Sequence, residues 1–126
     1  PFFGDASQSI NDTSYPSGTT IDKLYPGTKV LAVDSADITG TWALRGMLIT
    51  ENASHAATVA LVNLTDGSPD TAMVTITSTS TTGAVITSGA ITFPASGSTK
   101  SFGVKATSAN ASTYVQAYGL ELVRTA

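Results

Sequence analysis

A two-residue alternation of hydrophobic and polar positions recurs along most of this chain. It is clear in TWALRGMLIT (41–50), where Trp42, Leu44 and Leu48 fall on one face of an extended strand. The run AMVTITSTS (72–80) alternates in the same way. Such alternation predicts strands that bury one face and expose the other.

Five further strands are predicted in the same part of the chain. ATVALVNL (57–64) is apolar on both faces, which is typical of a strand at the centre of a sheet. The others are TKVLAVDS (28–35), AVITSGAITF (84–93), TKSFGVKAT (99–107) and TYVQAYGLELV (113–123). Short strands at this spacing, with turn residues between them, predict an all-β fold: an antiparallel sandwich or jelly roll of about seven strands over 28–126.

Glycine interrupts three of the predicted strands. Gly89, Gly103 and Gly119 each lie among strand-forming residues. Glycine inside a strand usually marks a bulge or the close approach of another backbone. We therefore expect local irregularity at these positions.

Residues 1–27 form a different kind of segment, which we interpret as an extended N-terminal arm. They show no sustained period, and they contain proline and glycine at intervals. Apolar side chains are spaced through the arm as candidate anchors: Phe2, Phe3, Ile10, Tyr15, Ile21, Leu24 and Tyr25. Two alternatives stay open. The arm folds back over an edge of its own sandwich, or it binds a neighbouring subunit or a larger assembly.

Composition and charge argue against several kinds of site and partner. The 126 residues suit one domain with one core, and the absence of cysteine excludes disulfides and thiolate metal sites. Only 12% of residues are charged, and the formal net charge is -3. We expect no nucleic-acid partner, because phosphate binding needs a clustered basic face. The 15 Ser and 21 Thr instead predict a neutral, hydroxyl-rich surface.

No part of the chain has the pattern of a membrane span or a leader. No apolar run approaches the length of about 20 residues that a bilayer span needs, and we expect no membrane partner. PFFGDASQS lacks the basic and apolar regions of a signal peptide. Either a leader has been removed or there never was one. An initial Pro is what remains when an initiator Met is trimmed, so we expect residues 1–126 to be nearly the whole gene product.

Candidate chemical sites are few. Asp66-Gly67 between two strands predicts a hairpin turn, and a calcium site using Asp66 and Asp70 lacks the further acidic positions of an EF-hand loop. His55 is the single histidine, and no sequence neighbour completes a catalytic triad or a metal cluster around it. A metal shared between the histidines of several subunits stays open.

Carboxylate chemistry has little support. The two glutamates are Glu51 and Glu121, and Asp34 and Asp37 lie in a turn-like segment where short acids serve turns. No pair of carboxylates is predicted to act on a glycosidic bond. We therefore expect no enzyme, no cofactor and no metal.

The asparagines share a pattern that has two explanations. All four precede Ser or Thr by two positions: Asn11, Asn52, Asn63 and Asn110. This is the acceptor pattern for N-glycosylation in a secreted protein. Turns that combine Asn with Ser or Thr produce the same pattern.

The aromatic residues point to a core and an interface. Trp42 shares a face with Leu44 and Leu48, so we expect it in the core. By simple alternation, Tyr114 and Tyr118 share a face with Gln116, Leu120 and Leu122. Tyr114 and Tyr118 are therefore candidates for an oligomer interface.

Three segments carry a resemblance to a known class of protein. "VALVNLTDGS", "VITSGAITFPASGSTKSFGVKA" and "VQAYGLELV" resemble the small β-sandwich domains found in virion proteins of tailed bacteriophages, among capsid decoration (cement) proteins and fibre domains. The similarity covers 41–123. The chain departs from the usual pattern in Phe102, where a Tyr is more common, and in its long arm.

The resemblance implies a structural protein of the virion that is assembled in the host cytoplasm. It would bind the major capsid protein or other virion subunits, with the arm as a latch, and it would form a homo-oligomer, with a trimer favoured. Two alternatives stay open: a fibre or receptor-binding domain that uses the loops at 51–57, 65–71, 94–98 and 108–112, and a secreted carbohydrate-binding module.

Overall fold

The protein folds as a sandwich of two antiparallel sheets, each with four strands, in a computed structural model. The structure describes residues 2–4, 31–63, 65–66, 72–95, 97–110, 113 and 115–126. A one-turn 3₁₀ helix at Ser35–Asp37 lies between the second and third strands. The prediction of an all-β sandwich is confirmed.

Eight strands make up the two sheets within the described residues. In chain order they are β1 (Phe2–Gly4), β2 (Leu31–Val33), β3 (Trp42–Thr50), β4 (Ala57–Asn63), β5 (Ala72–Ser78), β6 (Ala84–Thr87), β7 (Lys100–Ser108) and β8 (Val115–Arg124). Sheet A has the order β1-β8-β3-β6, and sheet B has the order β2-β7-β4-β5. The apolar strand β4 lies between β7 and β5, as the sequence predicts for a central strand.

One predicted strand, 84–93, is too long, because β6 ends at Thr87. At the next residue the Ser88 hydroxyl oxygen accepts the Leu44 N–H at 2.9 Å, in place of a backbone carbonyl. A serine side chain that bonds to the backbone offers the chain an alternative to the ladder. The segment still follows β3, since the Ile91 N–H donates to the Trp42 carbonyl at 2.8 Å.

The core lies between the inner faces of the two sheets. Every strand from β3 to β8 contributes apolar side chains to it or packs against it. Its buried members are Leu44, Leu48, Ala57, Val59, Leu61, Ile76, Ile91, Phe102, Val104, Ala106, Val115, Ala117, Leu120 and Leu122. Phe93 packs edge-on against the buried Phe102 ring, with centroids 5.9 Å apart, so the segment after β6 still supplies core side chains.

The first residues of the arm pair with the protein's own sheet. β1 runs antiparallel to β8 at the edge of sheet A, where Phe2 lies opposite Glu121 and Gly4 opposite Leu120. For these three residues the structure corresponds to the first alternative, an arm that covers an edge of its own sandwich. The other candidate anchors lie outside the described residues: Ile10, Tyr15, Ile21, Leu24 and Tyr25.

A β-bulge in β8 occurs at one of the three glycines that the sequence marks. β3 and β8 pair Met47 with Tyr118 and Arg45 with Glu121, so Gly119 and Leu120 together face Gly46. Gly119 has a φ of 60°, which L-residues with a side chain rarely adopt. The bulge shifts the alternation of β8 by one residue at this point.

The other two glycines differ from the expectation of a bulge. Gly103 lies in β7 and pairs with Val62 in regular register. Gly89 lies beyond the end of β6, and no neighbouring atom stands within 4 Å of where its Cβ would be. A further irregularity falls between β4 and β5, where the pairing skips Met73.

Candidate interaction surface

The outward face of sheet A carries apolar side chains that stay exposed or half-buried. We call it the contact face. Side chains of β3 that alternate with the core residues point outward, and the register places them beside outward side chains of β6 and β8. Its exposed or half-buried members are Arg45, Met47, Ile49, Val85, Thr87, Gln116, Tyr118, Glu121 and Val123.

Val85 is the most exposed large hydrophobic side chain in the described part of the chain. Its exposed fraction is 67%. Val85 lies opposite Met47 on the neighbouring strand, and Met47 lies opposite Tyr118 on the strand beyond it. The three side chains therefore form a row across three strands of sheet A. Val85 is exposed, and Met47 and Tyr118 are half-buried. Contiguous apolar surface marks binding sites more often than a single exposed residue does.

An ion pair crosses the contact face beside this row. Both the Nε and the Nη2 groups of Arg45 donate to Glu121 Oε1, the former at 3.1 Å. The exposed fractions of the two side chains are 45% and 32%, so a partner could still reach both charges. Solvent weakens an ion pair at this level of exposure, and its contribution to folding is about 1 kcal/mol or less.

The outward face of sheet B has a different character. Ala60 and Val62 of β4 alternate with its core residues, yet they are buried, with exposed fractions of 6% and 0%. On the edge strand β5 the outward side chains Thr75 and Thr77 are exposed hydroxyls. Sheet B therefore presents no exposed apolar row comparable to that of sheet A within the described residues.

The predicted interface residues fall partly on the contact face. Tyr118 lies on it, and Tyr114 lies outside the described residues. The prediction that Tyr118 shares a face with Leu120 and Leu122 is wrong, because both leucines belong to the core cluster. The bulge at Gly119 is the physical reason. The glycine is visible in the sequence, but alternation alone does not reveal that the two faces of the strand exchange beyond it.

Asp66 serves the turn after β4 rather than a calcium site. Its Oδ1 accepts from Lys100 Nζ at 2.7 Å, and its Oδ2 accepts from Asn63 Nδ2 at 2.9 Å. The bonds from Lys100 and then from Asn63 lower the pKa of the Asp66 carboxyl below its ordinary value of 3.8. Asp70 lies outside the described residues.

His55 belongs to a loop held by hydroxyl groups. Its Nδ1 lies 2.7 Å from Thr113 Oγ1, and its carbonyl accepts from Thr50 Oγ1 at 2.7 Å. Thr50 and Thr113 are buried, so these bonds satisfy polar groups that water does not reach. No described acid stands behind the imidazole in the manner of a triad, within the bonds that the structure gives it.

The carboxylates are distributed over separate parts of the sandwich. Glu121 pairs with Arg45 on the contact face, whereas Glu51 follows the far end of β3. Asp34 caps the 3₁₀ turn by accepting from the Ala36 N–H at 3.0 Å. This is the turn role that the sequence predicts for the short acid.

Asn52 and Asn63 make side-chain bonds within turns. Asn52 Oδ1 accepts from the Ser54 N–H at 2.9 Å. Asn63 Oδ1 accepts from the Thr65 N–H at 3.0 Å, and its amide donates to Asp66. These bonds favour the turn explanation of the Asn-x-Ser/Thr pattern at both positions.

Trp42 contacts the core from its margin. The side chain is half-buried at the start of β3 and packs against the core cluster. Its indole N–H donates to the Thr39 carbonyl at 2.8 Å. This arrangement satisfies the polar end of the ring while its apolar part covers the core.

In the described part of the chain, no three side chains of His, Cys, Asp or Glu come together to form a metal site. The same residues include no helix with the length and apolar character needed to cross a membrane.

The chain was compared with known proteins at three levels. No protein-family model matches it, and neither a curated protein nor a solved structure matches it significantly.

Proposed function

We propose that this protein is a structural component of a virion, a capsid decoration (cement) protein that binds and stabilises the outer surface of a phage head. The observation that carries the proposal is the contact face, where the exposed Val85 and the half-buried Met47 and Tyr118 form a row beside an ion pair. Such a surface suits a protein contact, because apolar side chains lose water on association and the ion pair fixes orientation. The proposal assigns no catalytic step, cofactor or metal to the chain.

The arm is the proposed attachment to the shell. Residues 1–27 would bind the major capsid protein or another virion subunit through their apolar anchors. β1 pairs with the chain's own β8, so the proposed attachment rests on the residues of the arm that follow it. Extended segments commonly bind partner proteins by the same kind of strand addition.

The composition also supports assembly inside a host cell before release. A chain without cysteine needs no oxidising compartment to fold. The surface carries few charges and many hydroxyls, so apolar burial and backbone hydrogen bonds supply most of the affinity of its contacts, and the few charges fix their orientation. We propose the capsid surface as its location, after assembly in the host cytoplasm.

Removal of the arm tests the proposed attachment. We expect a chain of residues 28–126 to remain folded, because the core cluster of the described residues lies within β3–β8 and the segment after β6. We expect it to lose binding to phage heads, measured by co-sedimentation alongside the full chain. Circular dichroism of both chains is the control for folding. Undiminished binding by a folded truncated chain would contradict the role of the arm.

The alternative of a fibre or receptor-binding domain receives less support from the loop positions. Ala57 of β4 pairs with Ser108 of β7, so residues 51–57 and 108–110 adjoin the same end of the sandwich. Asn63 pairs with Phe102, so residues 65–66 after β4 and 97–98 before β7 lie toward the opposite end. The described parts of the four loops therefore do not form one receptor-binding surface.

A further inference from the structure

The contact face carries one positive and one negative side chain at equivalent positions on its two central strands. Arg45 of β3 lies directly opposite Glu121 of β8. At another register position on the same face, Met47 of β3 lies opposite Tyr118 of β8. The face is therefore matched across the line that runs between the two strands, with a cation facing an anion and a thioether facing an aromatic ring.

We propose that two copies of this chain pair through the contact face, about a twofold axis that runs parallel to the strands between β3 and β8. The inference rests on the proposed function and names a second copy as the partner of this surface. The axis places each outward β3 side chain over the β8 side chain of the same register in the second copy. Arg45 then meets Glu121, and Met47 meets Tyr118.

The charges favour this axis over a twofold axis that runs perpendicular to the strands. A twofold axis perpendicular to the strands at this register would place Arg45 over Arg45 and Glu121 over Glu121. Like charges brought together at an interface oppose association strongly. The parallel axis instead gives each charge an opposite partner in its own chain and another in the second copy.

The apolar row is covered by the same operation. The strand order of sheet A is reversed across the axis, so β6 of one copy lies over β1 of the other and Val85 is removed from water. Met47 over Tyr118 adds a contact between sulfur and an aromatic ring, which is favourable beyond its buried area. Strands of the two sheets stay nearly aligned, as in ordinary sheet-on-sheet packing.

The size of the face suits a weak, transient interface. β3 has nine residues and β8 has ten, whereas β6 has four and β1 has three. With strands about 4.8 Å apart and a rise of about 3.4 Å per residue, the four strands cover about 420 Å² on each copy. Two copies then bury about 850 Å², the size of weak interfaces, so we expect a weak dimer.

The twofold pairing differs from the trimer that the sequence favoured. A trimer needs a head-to-tail contact between two different surfaces of the chain. The contact face is complementary to itself, which is the property of an isologous interface. We therefore expect the free protein to be a dimer.

Charge reversal tests the proposed pairing in the full chain without any other component. Sedimentation equilibrium of the wild type should give a dimer, and Arg45→Glu and Glu121→Arg should each weaken association by about tenfold or more. A one-to-one mixture of the two variants should regain dimers, because one face is then wholly acidic and the other wholly basic. The Lys100→Glu variant, which reverses a charge on sheet B, is the matched control and should dimerise as the wild type does.

The outcomes separate this inference from the proposed function. A wild type that stays monomeric, forms trimers, or dimerises with no response to either reversal would overturn the twofold pairing. If neither variant dimerises alone but their mixture does, the result would support the twofold pairing, because two misfolded variants cannot restore each other. Particle binding by a monomeric protein would overturn the pairing alone, and a dimer that binds no particle would overturn the proposed function alone.

Discussion

Gly119 decides which side chains of β8 reach the surface. Its φ of 60° lies in the left-handed region, where the bulge requires it. Before this residue the odd-numbered side chains Val115 and Ala117 face the core, and after it the even-numbered Leu120 and Leu122 do. The bulge thus accommodates Gly119 as an extra residue, so that Glu121 faces outward, toward Arg45.

We predict that Gly119→Ala lowers the free energy of unfolding by about 1–2 kcal/mol, because a Cβ is disfavoured at a left-handed φ. No neighbouring atom lies within 4 Å of the added group, so the cost comes from the backbone alone. Denaturant unfolding measures the change. Gly89→Ala is the matched control, since Gly89 also has open space but no positive φ. Equal stability of both variants would contradict the account of Gly119.

The Asp66 carboxyl is predicted to make the stability of the fold depend on pH. The folded pKa of Asp66 is lowered, so its bonds to Lys100 and Asn63 stabilise the fold above the ordinary value of 3.8. That contribution is lost as the pH falls through the lower, folded pKa. Asp66→Asn should therefore be less stable than the wild type near neutral pH and equal to it at about pH 2. A stability difference that persists unchanged in acid would contradict this assignment.

The strands could be predicted from the sequence, because buried and exposed side chains alternate within each short segment. β3, β5 and β7 begin and end within about two residues of their predicted limits, and the apolar run at 57–64 is central as predicted. The end of β6 could not be predicted from periodicity. It depends on the Ser88 hydroxyl meeting the Leu44 N–H, and these residues are distant in sequence.

The sequence indicated an irregularity at Gly119, but it did not show that the two faces of β8 exchange there. A glycine within a strand indicates irregularity, as at Gly119, but Gly103 shows that the same residue type also occurs in regular pairing. Whether a glycine forms a bulge or pairs regularly depends on the neighbouring strand. Opposite the bulge stands Gly46, where a Cβ would lie 2.6 Å from Leu120 Cδ2.

We predict that the sandwich tolerates deletion of Gly119 but not deletion of Gly46 on the neighbouring strand. Gly119 is the extra residue of the bulge, so its removal pairs Leu120 alone with Gly46 and keeps Glu121 opposite Arg45. Gly46 lies in regular alternation, and its removal would turn the buried Leu48 outward, because a shift of one residue exchanges the faces of a strand.

Thermal unfolding followed by circular dichroism compares the two deletions. The chain without Gly119 should keep a cooperative transition, and the chain without Gly46 should show little or none. Equal damage from both deletions would contradict the description of Gly119 as the extra residue of the strand.

At the scale of the whole molecule, the contact face exists only through the order of the strands. β6, β3 and β8 are distant in sequence, and Val85, Met47 and Tyr118 become neighbours because sheet A places these strands side by side. The sequence identified Tyr118 as an interface candidate from its residue type. It could not identify Val85 or Met47, because nothing local in the chain specifies strand order.

The molecule has two proposed contact surfaces, the arm and the contact face, which adjoin at β1. The arm is proposed to hold the shell, and the contact face is proposed to hold a second copy of the chain. Sheet B contributes mainly stability, since its outward apolar residues Ala60 and Val62 are already buried. Loss of either proposed contact should leave the fold intact, because the core cluster of the described residues lies within the sandwich itself.

Sedimentation of the native protein from its source on a density gradient, followed by intact mass of the fractions that contain it, distinguishes a virion protein from a secreted one. We expect the protein to migrate with large particles at the mass of the unmodified chain. Recovery as a free species of greater mass would indicate a secreted, glycosylated protein and would contradict the assignment to a virion.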